Sequence, residues 1–256
     1  MLRPRIIPVL TVKNGGLVKT TRFRDPVYVG DPINAVRIFN EKGVDEIVLL
    51  DIGASAAGKA PDLDMIEEIA GEAYVPVAYG GGIATVEQCN AVLRAGVEKV
   101  CLNSAVEDDA GLAAAAAARF GSQSVVGVID VARGLFGGPA CRTKSGARKL
   151  RQTPVARARM FAEAGAGEIF VNDIDREGTG IGYDLALIRE IAGAVSLPLV
   201  ACGGARDAAD LRAAIAIPGV SAAATSLFVF TGKHRAVLIS VPPESEILPV
   251  SGNADD

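Results

Sequence analysis

The chain repeats itself at an offset of 122 residues. Glu46-Ile47 and Asp51-Ile52 return as Glu168-Ile169 and Asp173-Ile174, and Leu63, Ile66, Glu68, Ile69 and Ala70 return as Leu185, Ile188, Glu190, Ile191 and Ala192. Pro32, Arg37, Phe39, Glu41 and Gly43 match Pro154, Arg159, Phe161, Glu163 and Gly165; Pro76, Gly81, Gly82 and Ser104 match Pro198, Gly203, Gly204 and Ser226. Solenoid repeats run at about 20–50 residues. So long an interval marks a duplicated half-domain, in which a ligand-holding device on one side has a twin on the other.

Short apolar runs alternate with amphipathic segments, the pattern of βα units around a parallel sheet. Strands are expected near 6–10, 47–51, 75–79, 99–102, 125–130, 169–173, 197–202 and 222–225. Asp31-Pro32, Thr85 with Gln88, Thr153-Pro154 and Asp184 open helices with capping side chains. The alanine-rich run 112–120 is helical by propensity. Eight alternations in two matching halves, within 256 residues, favour a (β/α)8 TIM barrel built from two half-barrels. Residues 1–241 are read as one barrel domain and 242–256, rich in Pro, Ser and Asp, as a frayed tail.

A net charge of −4 argues against nucleic-acid binding, which needs a basic footprint. No apolar run is long enough to span a membrane and no secretory signal is evident, so a cytoplasmic protein is expected. Cys89, Cys101, Cys141 and Cys202 lack metal or redox spacing and read as reduced thiols. The single histidine, His234, supports neither a metal site nor a histidine-based triad, and no cofactor is implied.

Two connections, 13–30 and 131–152, are too long for plain turns and occupy equivalent places after strands 1 and 5. Both are basic, with Lys13, Lys19, Arg22 and Arg24 in one and Arg142, Lys144, Arg148, Lys149 and Arg151 in the other. They lie at the strand ends where barrel enzymes keep their active sites. Gly80-Gly81-Gly82 ends strand 3 and Asn103-Ser104 ends strand 4, with the twins Gly203-Gly204 and Thr225-Ser226. Glycines admit a phosphate to backbone N–H groups, and the following helix supplies a positive dipole end. The turn holding Asp175 and Gly178 faces the second cradle. The expected ligand is a small molecule phosphorylated at both ends, although glycines also serve tight βα turns.

The stretches Arg5-Ile-Ile-Pro8, Gly30-Asp31-Pro32, Tyr79-Gly-Gly-Gly-Ile83, Phe120-Gly-Ser-Gln123, Gly165-Ala-Gly-Glu-Ile169, Asp175-Arg-Glu-Gly-Thr179 and Ala201-Cys-Gly-Gly-Ala205 resemble the cyclase subunit (HisF) family of imidazole glycerol phosphate synthase. The resemblance covers about residues 1–230. It implies a lyase- or cyclase-type synthase subunit that binds a bisphosphate and receives ammonia from a HisH-like glutaminase docked on the N-terminal barrel face. It also implies an ammonia gate at Arg5, Glu46, Lys99 and Glu168, with Glu98 at the docking rim. A structural salt-bridge ring is the alternative for those four charges.

The family's acid–base pair matches Asp130 and the position held here by Thr11, and Lys19 matches a substrate-holding lysine. Threonine exchanges no proton near neutral pH, and loss of a general acid or base costs about 10²–10⁴ in rate. Lys13–Thr20 and Gly232–Ile239 resemble a divergent branch associated with surface-polysaccharide synthesis, in which acetamidino groups are installed with a sugar amidotransferase as further partner. Gly232–Ile239 also replaces the family's final amphipathic helix with a β-branched run, so a closing helix is not expected there. The alternatives are an authentic cyclase of histidine biosynthesis and a non-catalytic phosphosugar-binding regulatory partner.

Overall fold

The computed structural model describes residues 3–134, 137–232 and 236–248. In chain order the elements are β1 (Ile6–Lys13), β2 (Gly16–Thr21), β3 (Arg24–Gly30), α1 (Pro32–Lys42), β4 (Ile47–Asp51), α2 (Ala54–Ala57), α3 (Leu63–Glu72), β5 (Val77–Gly80), α4 (Val86–Arg94), β6 (Lys99–Leu102) and α5 (Leu112–Phe120). The second half holds β7 (Val125–Arg133), β8 (Pro139–Thr143), β9 (Arg148–Lys149), α6 (Pro154–Glu163), β10 (Glu168–Asp173), α7 (Leu185–Ala192), β11 (Leu199–Cys202), α8 (Ala208–Ile215), β12 (Val220–Ala224), β13 (Phe230–Thr231), β14 (Ala236–Val237) and α9 (Glu244–Ile247).

Strands β1, β4, β5, β6, β7, β10, β11 and β12 pair in parallel in that order, and β12 pairs back onto β1. The sheet is therefore a closed eight-stranded (β/α)8 barrel. Burial on both faces explains why its strands read as apolar runs rather than alternating ones.

The duplication extends to the helix starts. Asp31 and Thr153 cap α1 and α6, each ahead of a proline; Asp62 and Asp184 cap α3 and α7; Thr85 and Asp207 cap α4 and α8. Each pair is one repeat apart. Each side-chain oxygen accepts an otherwise unpaired backbone N–H of the first turn. Phe39 and Phe161 are fully buried at equivalent positions, as are Ile66 and Ile188.

The long connections are β-ribbons rather than open loops. β1 runs on to Lys13 and turns through Asn14-Gly15, both at positive φ, into the antiparallel β2. Asn-Gly between apolar runs is a strong two-residue hairpin signal. Arg22-Phe23, also at positive φ, turns β2 into β3. After strand 5 of the barrel, β7 runs on to Arg133 and pairs with β8, which pairs with β9 across a turn holding Lys144, Ser145 and Gly146 at positive φ.

The C-terminal segment departs from the first half. Where α5 follows β6, the described residues after β12 form the short antiparallel pair β13–β14. His234 lies outside the described residues, as do 249–256. Glu244–Ile247 is a helical turn against α8 with Ile247 buried, so the expected fraying does not begin at 242. No helix among the described residues is long and apolar enough to cross a membrane.

Candidate active site

Inward-facing residues recur every second position along a barrel strand. Arg5, Ile7, Val9 and Thr11 thus climb one wall; Lys99, Cys101 and Asn103 climb another; Glu168, Phe170 and Asn172 a third. The middle layers form a buried apolar cluster that includes Ile7, Val9, Val48, Cys101, Val126 and Phe170. Ionisable and polar groups stand at the floor and at the mouth, with the apolar layers between them.

At the floor, the Arg5 guanidinium donates to both Glu46 and Glu168. Lys99 Nζ lies 2.8 Å from Glu46 Oε1 and 2.9 Å from Glu168 Oε2. The four expected gate residues therefore make one closed, neutral ring of alternating charge. Glu98, exposed outside this ring, accepts the Val77 backbone N–H at 2.6 Å, so it also caps the start of β5.

The mouth contains a cavity of about 500 Å³ that descends to Cys101 and Val128. Its wall carries Asp130, Thr11, Asn103, Asn172 and Thr225, and its rim Lys13, Asp51, Gly81, Gly82, Ser104 and Ser145. Asp130 is buried, with Asn103 Nδ2 donating to its Oδ2 at 2.8 Å. Burial pushes its carboxyl up to about 7, while hydrogen bonds from Asn103 and Asn172 and the Arg157 charge pull it back. A group titrating there can give and take a proton near neutral pH.

Thr11 lines the same cavity, but its hydroxyl donates to the Val18 carbonyl of β2. Lys19 departs from expectation. The hairpin turns it into the barrel, where Nζ donates to Val9 O at 2.8 Å, and its side chain stays out of the cavity wall. Burial lowers its ammonium to about 8, with the Glu177 charge opposing.

The two glycine cradles share a backbone geometry and differ in access. A Cβ on Gly81, at φ 132°, would stand 2.6 Å from Asp51 O; on its twin Gly203, at φ 97°, it would stand 2.5 Å from Asp173 O, the twin of Asp51. Both glycines are thus required by a close backbone approach as well as by φ. The first cradle opens on the cavity. Of the second, only Thr225 does so; Gly203, Gly204, Ser226, Asp175 and Gly178 lie outside its wall.

The 175–183 turn packs on Gly204 much as the 54–60 segment packs on Gly82: a Cβ would stand 2.2 Å from Gly182 O in one and 2.4 Å from Lys59 O in the other. Arg176 Nη1 donates to Gly182 O at 3.0 Å, Asp175 Oδ2 accepts the Arg133 backbone N–H at 2.6 Å, and Gly178 packs under Thr20 O. Gly203 and Gly204 are buried where Gly81 and Gly82 are half-buried, so the two cradles differ in exposure. Ser226 Oγ is buried without a hydrogen-bond partner.

Three residues of the site escape motif reading. Glu177, buried, accepts Thr20 Oγ1 and Thr225 Oγ1, each at 2.9 Å, tying the β2 hairpin to the end of β12. Asn172 pairs in register with Asp130 and has a buried Oδ1 without a partner. It breaks the repeat, since its twin is Leu50, and that mismatch is a signal the sequence contains. Arg157, on an outer helix, reaches Asn103 from behind.

The model of the histidine biosynthesis protein family matches residues 5–235. A Pseudomonas aeruginosa protein provisionally named imidazole glycerol phosphate synthase subunit hisF2 is 51% identical over 248 residues, 96% of this chain and 99% of the relative. A Leptospira interrogans protein provisionally named subunit HisF is 44% identical over 94% of this chain and 96% of its own length. The Desulfovibrio desulfuricans imidazole glycerol phosphate synthase subunit HisF is 41% identical over 91% of this chain and 92% of its own. With the barrel, the duplicated halves and these relatives in agreement, the chain belongs to the histidine biosynthesis protein family and, within it, to the HisF family.

Proposed function

We propose that this chain is the synthase barrel of a cytoplasmic glutamine amidotransferase, working as a single domain over residues 1–241. It holds a phosphorylated sugar-type substrate at the mouth and takes ammonia from a HisH-like glutaminase on the N-terminal face. The ammonia serves acetamidino-sugar formation, with a sugar amidotransferase as second partner. Arg5, Glu46, Lys99 and Glu168 gate entry and Asp130 handles protons. Gly81, Gly82, Asn103 and Ser104 bind one phosphate, and the second cradle, with Gly203, Gly204, Thr225, Ser226, Asp175 and Gly178, binds the other.

The observation that carries this reading is the absence of an acid at the strand-1 position facing Asp130. Asp130 stands at the cavity wall opposite a threonine whose hydroxyl is already committed to Val18 O. Ring closure by paired acid–base catalysis needs a second group of matched pKa. Delivery of ammonia does not. The apolar layers between floor and mouth support passage of a neutral molecule, because an ion there would meet a large desolvation cost. In the described conformation the ring is closed, so entry requires at least one ion pair to swing aside.

A second reading, an authentic histidine-pathway cyclase, draws on Asp130 alone, whose carboxyl is already poised near neutrality. Cyclase turnover with free ammonium, measured for the native chain and for Thr11→Asp, separates the two. Negligible native turnover that rises about 10²-fold or more in Thr11→Asp is expected. Robust native turnover would establish the cyclase instead. Failure of ligand-loaded protein to stimulate a cognate glutaminase would leave only a binding role.

A further inference from the structure

We propose that Arg157 is a positioning residue for Asp130, acting through Asn103. This rests on the reading of Asp130 as the proton-transfer group. Arg157 belongs to α6 on the outside of the barrel, yet its side chain is only 1% exposed. Its Nη2 donates to Asn103 O at 3.0 Å and reaches Asn103 Oδ1 at 3.5 Å. Its Nη1 is held by Glu107 and, at 3.1 Å, by Gln152 Oε1, and the guanidinium carbon stands 5.2 Å from the centre of the Phe161 ring.

Guanidinium is donor-only, so the Asn103 atom facing it must be the amide oxygen. The amide nitrogen is thereby turned the other way, toward Asp130 Oδ2 at 2.8 Å, where an ionised carboxylate can only accept. The order Glu107, Arg157, Asn103, Asp130 thus runs from the barrel exterior to the cavity wall with every donor and acceptor direction fixed.

A purely structural role explains this placement poorly. A guanidinium stripped of water is costly, and such a pair seldom adds net stability; here Arg157 Nε has no hydrogen-bond partner at all. What the arrangement secures is the orientation of Asn103. Other groups acting on Asp130 are its register partners Arg142 and Asn172, and the buried thiols of Cys141 and Cys202. Of these only the Arg142 carbonyl also contacts Asn103, accepting from its Nδ2 at 3.4 Å, and it leaves the oxygen side of the amide to Arg157.

The test is direct titration of Asp130 by carboxyl carbon NMR on aspartate-labelled full-length protein, with the resonance assigned by Asp130→Asn. Three proteins are compared: native, Arg157→Lys, and the double variant Arg157→Met/Glu107→Gln, which leaves no unpaired buried charge and keeps the fold measurable. The double variant should move the Asp130 midpoint up by about one unit, the size of a lost hydrogen bond plus a distant charge. Arg157→Lys keeps the charge and loses the fork, so it should shift the midpoint in the same direction by less.

A folded double variant that titrates like the native protein overturns the proposal, whatever its melting temperature. The same holds if Arg157→Lys, with its charge retained, is indistinguishable from native. Failure of the underlying reading looks different: Asp130→Asn would leave turnover or glutaminase stimulation unchanged while the Arg157 variants still shift the titration.

Discussion

Glu46 and Glu168, one repeat apart, share the same two cations across the barrel floor: Arg5 bonds to both and Lys99 to both. The duplication supplied the two carboxylates, while the cations come from non-equivalent strands, β6 and the segment before β1. The result is a ring whose four members are each at least three-quarters buried. Such a ring is stable when complete and costly when one member is missing.

Removing a single partner leaves an uncompensated charge at the floor. Glu46→Gln and Glu168→Gln should each destabilise the fold by about 3 kcal/mol in denaturant titration. The pair Glu46→Gln/Lys99→Met should cost less than the sum of its parts. Strict additivity would show that the ring is not energetically coupled.

The docking face makes a separate claim. Glu98→Lys removes the acceptor of the Val77 N–H and reverses a charge beside the floor. Affinity for a HisH-like glutaminase should fall by about tenfold or more, with greater sensitivity to salt. Equal affinity of native and variant chains would move the docking face elsewhere.

Burial of the Asp130 carboxyl costs the fold stability. Its folded pKa of about 7 lies above the ordinary aspartate value. Between roughly pH 4 and pH 7 the unfolded chain releases this proton while the folded chain keeps it, so stability falls with rising pH and then levels off. Asp130→Asn should therefore be more stable than native at pH 8, by on the order of 1–3 kcal/mol. That gain should fade below about pH 4, where both states hold the proton. Thermal melts across this range check both sign and window; a variant no more stable at pH 8 contradicts the buried-acid assignment.

Glu177 latches the first hairpin. With Glu177→Ala, the Thr20 and Thr225 hydroxyls lose a charged acceptor worth about 1.5–3 kcal/mol each. Amide exchange in β2 should accelerate by at least about tenfold while the central strands of the barrel change little. Uniform acceleration across the barrel would mean a general loss of stability and no latch.

Gly127 makes room for Phe161. A Cβ there would stand 2.3 Å from the Phe161 ring, and the ring is fully buried. Gly127→Ala should cost about 1–3 kcal/mol by overpacking. Gly127→Ala/Phe161→Leu should be less destabilised than the two single changes summed, as calorimetry would show.

Much of this was legible in the chain itself. The 122-residue offset fixed the duplicated architecture, and it aligns the caps Asp31 with Thr153, Asp62 with Asp184 and Thr85 with Asp207 because capping depends on nearest neighbours alone. The floor charges Arg5, Glu46, Lys99 and Glu168 came from the family resemblance, and the closed ring they form came from the structure. The ribbon signal at Asn14-Gly15 lay in the sequence and was outweighed by the length of the connection.

Other features depended on side chains meeting across the barrel. Whether Lys19 points into the mouth or back to Val9 is decided by the register of β2 on β1. The two glycine pairs share the same close backbone approaches yet differ in exposure, Gly203 and Gly204 being buried and Gly81 and Gly82 half-buried, and only the packed structure shows this. Arg157 reads in sequence as one of several arginines near a helix start; only closure of the barrel carries it behind Asn103. Local sequence sets capping, periodicity and repeat, since these act between near neighbours, whereas burial and proton affinity depend on neighbours that folding brings together from distant parts of the chain.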